Sequence, residues 1–383
     1  MILLKNGNIY TMAGEVIEGG DILINDGRIV EVGRNIDPSG AEIMDVSGKF
    51  VMPGIIDAHC HLGMWEDAVG FEGDDGNEET DPATPHLRAI DGINPMDRNF
   101  EEAYQGGVTT AVTGPGSANV IGGLFTAIKT YGKRIDDMII KDPVALKVAF
   151  GENPKWVYGE QKKLPRTRMA IAGILREELT KAKEYMEGRA KKEDEDKPEL
   201  DLKMEAIAKA LKGEIPLKAH AHRADDIFTA IRIAKEFNVR LTLDHCTEGH
   251  LIVDYLKEEG YPCIVGPSLS ERSKVELKNL TFKTPGILSK AGILVAIMTD
   301  HPVIPLQYIT LCASLAVREG MDEMEALKAI TINPAKIVGI DDRVGSLEPG
   351  KDADIAIFDG NPLDIRNRCY ATIINGRIVY KRD

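Results

Sequence analysis

The feature that most constrains this chain is a series of short apolar runs of strand length, separated by segments with helical spacing. GGVTTAVTGPGS (106–117), DPVALKVAFGE (142–152), IPLKAHAHR (215–223), VRLTLDHCTEG (239–249), YPCIVGPS (261–268) and AGILVAIMTDHP (291–302) read as strands, whereas DIFTAIRIAKEF and HLIVDYLKEEG place apolar residues on one helical face. Strands alternating with helices imply parallel β/α units. The sharpest run is VMPGIIDAHCHLG (51–63). Alternate side chains of a strand share a face, so His59 and His61 project together from its end.

The chain has 383 residues, enough for a barrel of alternating strands and helices with a small satellite. Its two ends have a different texture. Residues 1–50 are short alternating segments broken by turn residues, with Asn25-Asp26-Gly27 between ILI and RIVEV, a strong hairpin signal. The same style returns in ADIAIFD and ATIINGRIVYKRD, with a second Asn-Gly turn at 375–376. The expected fold is α/β: a (β/α)8 TIM barrel over residues 53–344, beside a β-sandwich built from residues 1–52 and 345–383. Within the barrel, residues 176–213 form a charge-rich insertion, expected to be a solvated helical pair joined near Asp196-Lys197-Pro198, and in position to act as a lid.

Composition excludes several functions. Asp and Glu outnumber Lys and Arg by 61 to 47, giving a net charge of −14 with no basic block, so nucleic acid is not an expected partner. The five cysteines are scattered and form no Cys-x-x-Cys pair, which argues against a disulfide framework or a thiolate metal site and points to a reducing cytoplasm. The N-terminus lacks a secretory pattern and no apolar run is long enough to span a bilayer, so no membrane association is expected. Nucleotide cofactors are not indicated, because neither a Gly-x-Gly-x-x-Gly opening a helix nor a Walker loop is present.

Beyond His59 and His61, the histidines fall at 86, 220, 222, 245, 250 and 301, and three strand-like runs end in LKAHAH, LTLDH and AIMTDH. In a (β/α)8 barrel the C-terminal strand ends converge on one mouth, which would gather His59, His61, His220, His245 and Asp300 around one point. His86 and Asn119 lie in irregular segments that could line this mouth or only stabilise loops, and His250 and His301 are expected to be structural or to support the site residues from behind.

PGIIDAHCHLG (53–63), AHAH (219–222), LTLDHCTEG (241–249), IMTDHP (297–302) and the tail TINPAKIVGIDDRVGSLEPGKDADIAIFDGNP (331–362) together resemble the amidohydrolase superfamily, in particular its imidazolonepropionase-like and prolidase-like members. The resemblance spans nearly the whole chain. It implies metal ligation by His59 and His61 after the first barrel strand, His220 after the fifth, His245 after the sixth and Asp300 after the eighth, with Asp300 also the acid-base group. Binuclear relatives bridge their ions with a carboxylated Lys or a Glu at the end of the fourth strand. Here Lys147 and Glu152 are five residues apart and face opposite ways on a regular strand. Glu152 is preferred because it sits at the mouth, whereas Lys147 lies deeper. His222 shares a face with His220 and could contact substrate or replace it as ligand.

Nitrogen and oxygen donors without thiolate suit one or two divalent transition-metal ions, zinc first. A water on such an ion has its pKa lowered to about 7, and Asp300 would pass its proton to a leaving nitrogen. The expected activity is hydrolysis of an amide or cyclic amide carbon–nitrogen bond in a small molecule, by a chain expected to form a homo-oligomer. A deaminase using the same site, and a non-catalytic scaffold of the same fold, are the alternatives. The residue types of the loops do not identify the substrate.

Overall fold

A computed structural model describes residues 1–38, 40–190 and 197–383. Five strands come first: β1 (Ile2–Ile9), β2 (Ile17–Asn25), β3 (Arg28–Gly33), β4 (Glu42–Asp45) and β5 (Phe50–Pro53). Eight more follow: β6 (Ile55–Cys60), β7 (Val108–Thr113), β8 (Ile121–Lys129), β9 (Ile139–Ala149), β10 (Leu217–Ala221), β11 (Leu241–His245), β12 (Cys263–Val265) and β13 (Val295–Ile297). The chain closes with β14 (Ile355–Phe358), β15 (Cys369–Ile374) and β16 (Arg377–Lys381).

Both chain ends share one sheet, in the order β16-β15-β14-β5-β1-β2-β3 with β4 against β1. The seam between the ends is β5, which pairs parallel with β1 and antiparallel with β14. Both turns read from the sequence take two consecutive positive φ values, at Asp26 and Gly27 and at Asn375 and Gly376, the conformation a tight hairpin of this twist requires. Leu4, Ile22, Val51, Ile355 and Ile373 form the apolar core that no single hairpin could bury alone.

The second sheet runs β6 through β13 in sequence order, forming a nearly closed eight-stranded barrel. The seam between β6 and β13 is held by Asp57, whose carboxylate accepts from Thr299 N at 2.9 Å and Thr299 Oγ1 at 2.6 Å, and by His61 N donating to His301 O at 2.9 Å. One departure from uniform β/α units stands out: β8, which was not among the expected strands, pairs antiparallel with both β7 and β9. Only residues 114–120 join β7 to β8, too few for the crossover that parallel neighbours need.

The charged insertion is a packed helical pair. Helix Arg168–Arg189 begins earlier than the charge pattern suggests, capped by Thr167, and helix Leu202–Leu211 is capped by Asp201. Ile171, Leu175 and Leu179 from the first and Ile207 from the second join Leu146 and Val148 of β9 in one core, so the pair covers the barrel flank. The expected joint falls partly on Asp196, which lies outside the described residues. No described residue of 176–213 lines the cavity at the barrel mouth, so the lid reading has no support there. Among the described residues no helix is long and apolar enough to cross a membrane.

The barrel is tied to the terminal sheet by a buried lysine. Lys129 Nζ, on β8, lies 2.9 Å from Asp352 and 2.5 Å from Asp354, just before β14, and all three side chains are buried. We propose that the two sheets are the cores of two domains and that this cluster joins them. Burial alone would raise the Asp352 pKa, but Lys129 and Arg343 outweigh it and hold it below the ordinary carboxyl value. Its contribution to stability is therefore present above about pH 4 and lost as the pH falls through the depressed folded value. Lys129→Met leaves buried Asp354 without its ion-pair partner, while Asp352 keeps Arg28 and Arg343, and is expected to cost about 3–5 kcal/mol at neutral pH, read as a lower denaturant midpoint; an unchanged midpoint would remove the cluster from the stability of the fold.

Candidate metal centre

His59 and His61 leave the end of β6 on one face, as period-two geometry requires, with ring centroids 5.3 Å apart. His220 and His222 repeat the arrangement at the end of β10, with centroids 4.7 Å apart. His245 ends β11, 4.2 Å from His220 and 5.3 Å from His59 between ring centroids. Asp300 follows β13, and its Oδ1 lies 3.3 Å from both His59 Nε2 and His61 Nε2. His245 and Asp300 have φ values of +70° and +54°. Strained backbone of this kind persists only where the surroundings enforce it. At His245 it has a visible effect: Asp244 reaches His59 and Lys218 inside the barrel, and the left-handed turn lets the next residue join the same cluster instead of pointing away.

Hydrogen bonds fix which ring nitrogen is free. Nδ1 of His59 meets Asp244 at 2.5 Å, Nδ1 of His61 meets Gly114 O at 2.7 Å, Nδ1 of His245 meets Gly266 O at 2.9 Å and Nδ1 of His222 meets Thr247 Oγ1 at 2.8 Å. Where Nδ1 donates to a carboxylate or carbonyl, as in His59, His61 and His245, the ring presents Nε2 and its lone pair, the orientation of a metal-ligating imidazole with an outer partner; the Thr247 hydroxyl allows the same tautomer for His222. His245 Nε2 and both nitrogens of His220 are buried without any protein partner. Buried polar atoms are rarely left so, and their convergence fits a divalent ion. Two donor groups emerge, His220 with His222 and His245, and His59 with His245 and Asp300.

The electrostatics agree with this chemistry. Burial lowers His59 to about 4 and His222 to about 3, and drives His220 and His245 well below the ordinary histidine value, so all four rings are neutral at pH 7. Burial works against the charge of Asp300, whereas His245, His59 and His61 lower its pKa through any proton they turn toward it, and the balance is a carboxyl well below its ordinary value.

The structure does not bring Glu152 to this cluster. The chain turns at Gly151, with φ +89°, and Glu152 opens a helix with its carboxylate 3.4 Å from the backbone N of Glu276. Lys147 is the fourth-strand side chain that points inward. It is fully buried, its Nζ lies 3.2 Å from His59 Nε2, and burial lowers its pKa to about 8. Asn119 packs between loops, donating to Glu78 O and Thr84 Oγ1 and accepting from Tyr158. His250 pairs with Thr284, His301 is buried beside the seam, and His86 lies outside the cavity lining.

Several neighbours were not evident from the sequence: Asp57, Asp244, Lys218 and Glu276. Lys218 was the most accessible of them, because it sits two residues before His220 on β10 and so shares its inward face.

A cavity of about 620 Å³ opens over the cluster, lined by His61, Trp65, Asn153, His222, Lys274 and Asp300 among others. A larger hollow of about 1080 Å³, beside Arg28 and Asp352 between the sheets, contains none of these histidines and is not where the chemistry converges.

The amidohydrolase family pattern matches residues 50–379, and the chain belongs to that family. Over 95% of its length it is 31% identical to amidohydrolase tasK of Hapsidospora irregularis, of which it spans 41%. It is 27% identical to imidazolonepropionase of Paracoccus denitrificans over 99% of this chain and 100% of that one. A crystal structure of an amidohydrolase from Thermotoga maritima superposes over 100% of both chains with a TM-score of 0.97 and 48% identity.

Because His59 contributes to one donor group and borders His245 of the other, His59→Ala is expected to lose most of the bound metal. Elemental analysis of protein grown with supplemented metal checks this; full metal content in the variant would place the ion elsewhere.

Proposed function

We propose that this protein hydrolyses an amide or cyclic amide bond in a small anionic molecule, with one or two divalent ions, zinc first, held by His59, His61, His220, His245 and Asp300. The observation carrying this reading is the convergence of buried Nε2 atoms and the Asp300 carboxylate on one cavity floor. When bound, such ions lower the pKa of a coordinated water to about 7 and polarise the scissile carbonyl.

Asp300 is ionised, borders the cavity and has Oδ1 within reach of two imidazoles, so it can accept a proton from water and return it to the leaving nitrogen. Between Lys147 and Glu152, the inward amine of Lys147 supports it as the fourth-strand ligand. With its pKa near 8, a useful fraction is neutral near pH 7 and can take up carbon dioxide as a carbamate, releasing a proton and gaining two donor oxygens. The complete donor set gives no support to a non-catalytic scaffold.

The cavity wall adds a statement about the substrate. Lys274 is the single lysine or arginine lining it; among the described residues its Nζ makes no ion pair and donates to Asn153 Oδ1 at 2.6 Å, while Asn153 Nδ2 donates to Ser117 Oγ at 2.7 Å. Glu271 and Asp300 also line the cavity, but neither lies within ion-pair distance of Lys274, so a carboxylate on the substrate would give the ammonium a partner of its own. N-acyl amino acids, dipeptides and imidazolone-type acids meet this condition.

Asp300→Asn keeps size and one coordinating oxygen but loses the basic carboxylate. Metal is expected to persist while kcat falls by about 10² to 10⁴ fold; activity within a few fold of wild type, with metal retained, would remove Asp300 from proton transfer. Lys274→Met is expected to raise KM for carboxylate substrates by roughly tenfold or more at similar kcat, the scale of a lost hydrogen bond to a charged group. An unchanged KM across N-acyl amino acids and imidazolone acids would refute the anionic subsite.

A further inference from the structure

Glu276 lies in the turn Val275–Leu277 after β12, in no motif of the sequence, yet its side chain is 1% exposed and reaches the histidine cluster. One oxygen is held from outside: Oε2 accepts from Glu152 N at 2.9 Å, and Glu152 Oε2 lies 3.4 Å from Glu276 N in return. The seat requires Gly151. A Cβ there would stand 2.7 Å from Glu276 Oε2 and 3.1 Å from Asp226 Oδ2, on a backbone with φ +89°.

The other oxygen faces inward. Glu276 Oε1 is buried without a hydrogen-bond partner, 3.8 Å from His222 Nε2 and 4.0 Å from His220 Nε2. Thr247 Oγ1 lies against His222 Nδ1, and where it accepts from that nitrogen the Nε2 lone pair is turned toward Glu276. In that tautomer a carboxyl oxygen and imidazole nitrogens face one another, an arrangement that a cation between them would satisfy. Ligands about 2.0–2.2 Å from a tetrahedral ion are about 3.4 Å apart; His220, His222 and His245 already group within 4.8 Å of one another, and Glu276 Oε1, 4.0 and 3.8 Å from the first two, would have to swing inward to complete the set.

We propose that Glu276 and His222 join His220 and His245 as a four-donor site for a divalent transition-metal ion, so that the ion held by His59, His61 and Asp300 is the one with an open position. This rests on the metal-dependent reading above and extends it to two residues with unequal consequences. Four protein donors close a coordination sphere, the arrangement of a site that holds its ion rather than exchanging ligands on it. His222 then acts as a ligand and not as a substrate contact.

The test is titration of metal-free enzyme with Co²⁺, followed by visible absorption and by equilibrium binding. Wild type is expected to take two equivalents. Glu276→Gln, which keeps the shape of the side chain, is expected to keep the first and bind the second at least tenfold more weakly with an altered absorption band. Glu276→Asp, which draws the carboxylate back by one carbon, is the second variant and is expected to weaken the same equivalent, so the question remains answerable if the Gln variant does not fold. Two equivalents bound by either folded variant with wild-type affinity and spectrum would overturn the assignment of Glu276 while leaving the metal-dependent reading intact. A wild-type protein that binds no Co²⁺ would end both.

Discussion

The site depends on one buried carboxylate. Asp244 is wholly enclosed by the barrel and lies 2.9 Å from Lys218 Nζ and 2.5 Å from His59 Nδ1. Burial disfavours its charge, but Lys218 and His59 reverse the balance and hold it below the ordinary range. A charge in such a place is tolerable only if its partners are fixed, because removing either leaves it uncompensated. Lys218 also donates to Ala58 O, on the strand that carries the His-x-His pair. One ion pair thus sets the rotamer of His59, the position of β6 against β10, and the presentation of Nε2 to the cavity. Lys147, beside Lys218 in the adjoining strand, adds a second amine over the Phe125 ring, so this part of the barrel interior is charged where most barrels are aliphatic.

How much of this was legible in the sequence follows from the range of the rules. Period-two alternation is local, so His59 with His61 and the two Asn-Gly or Asp-Gly turns could be read directly, and the convergence of strand ends followed from β/α order. Lys147 against Glu152 could not be decided locally, because the outcome turns on where β9 stops. It stops at Ala149, and the positive φ of Gly151 redirects the chain before Glu152. The antiparallel β8 was hidden for a similar reason: its run is strand-like, but its direction is set by the length of its connections. Glu276 left no signal at all, since a lone acid in a polar loop acquires meaning only when the loop folds over histidines some fifty residues earlier.

The histidine cluster also bears on stability. Neutral imidazoles held with lone pairs inward, beside an ionised Asp300, are not an arrangement a chain adopts at no cost. Part of that cost sits in the left-handed backbone at His245 and Asp300. The surrounding strands enforce it through Gly266 O, Gly114 O and Asp244, each of which restrains one ring. A cation would relieve the lone-pair repulsion without changing these outer contacts, so metal binding adds to folding stability by mass action while the protein scaffold alone supplies the geometry.

Two loops at the cavity wall are fastened to each other. Lys274 reaches Asn153 while Glu276 and Glu152 exchange backbone contacts, so residues 152–153 and 274–276 are clasped twice within a few ångströms. The first contact positions the Lys274 ammonium on the cavity wall; the second positions the carboxylate that faces His220 and His222. A shift of either loop must therefore move Lys274 and Glu276 together. The loops free to vary are instead those on the Trp65 side, where His61 is held by Gly114 O independently of the clasp.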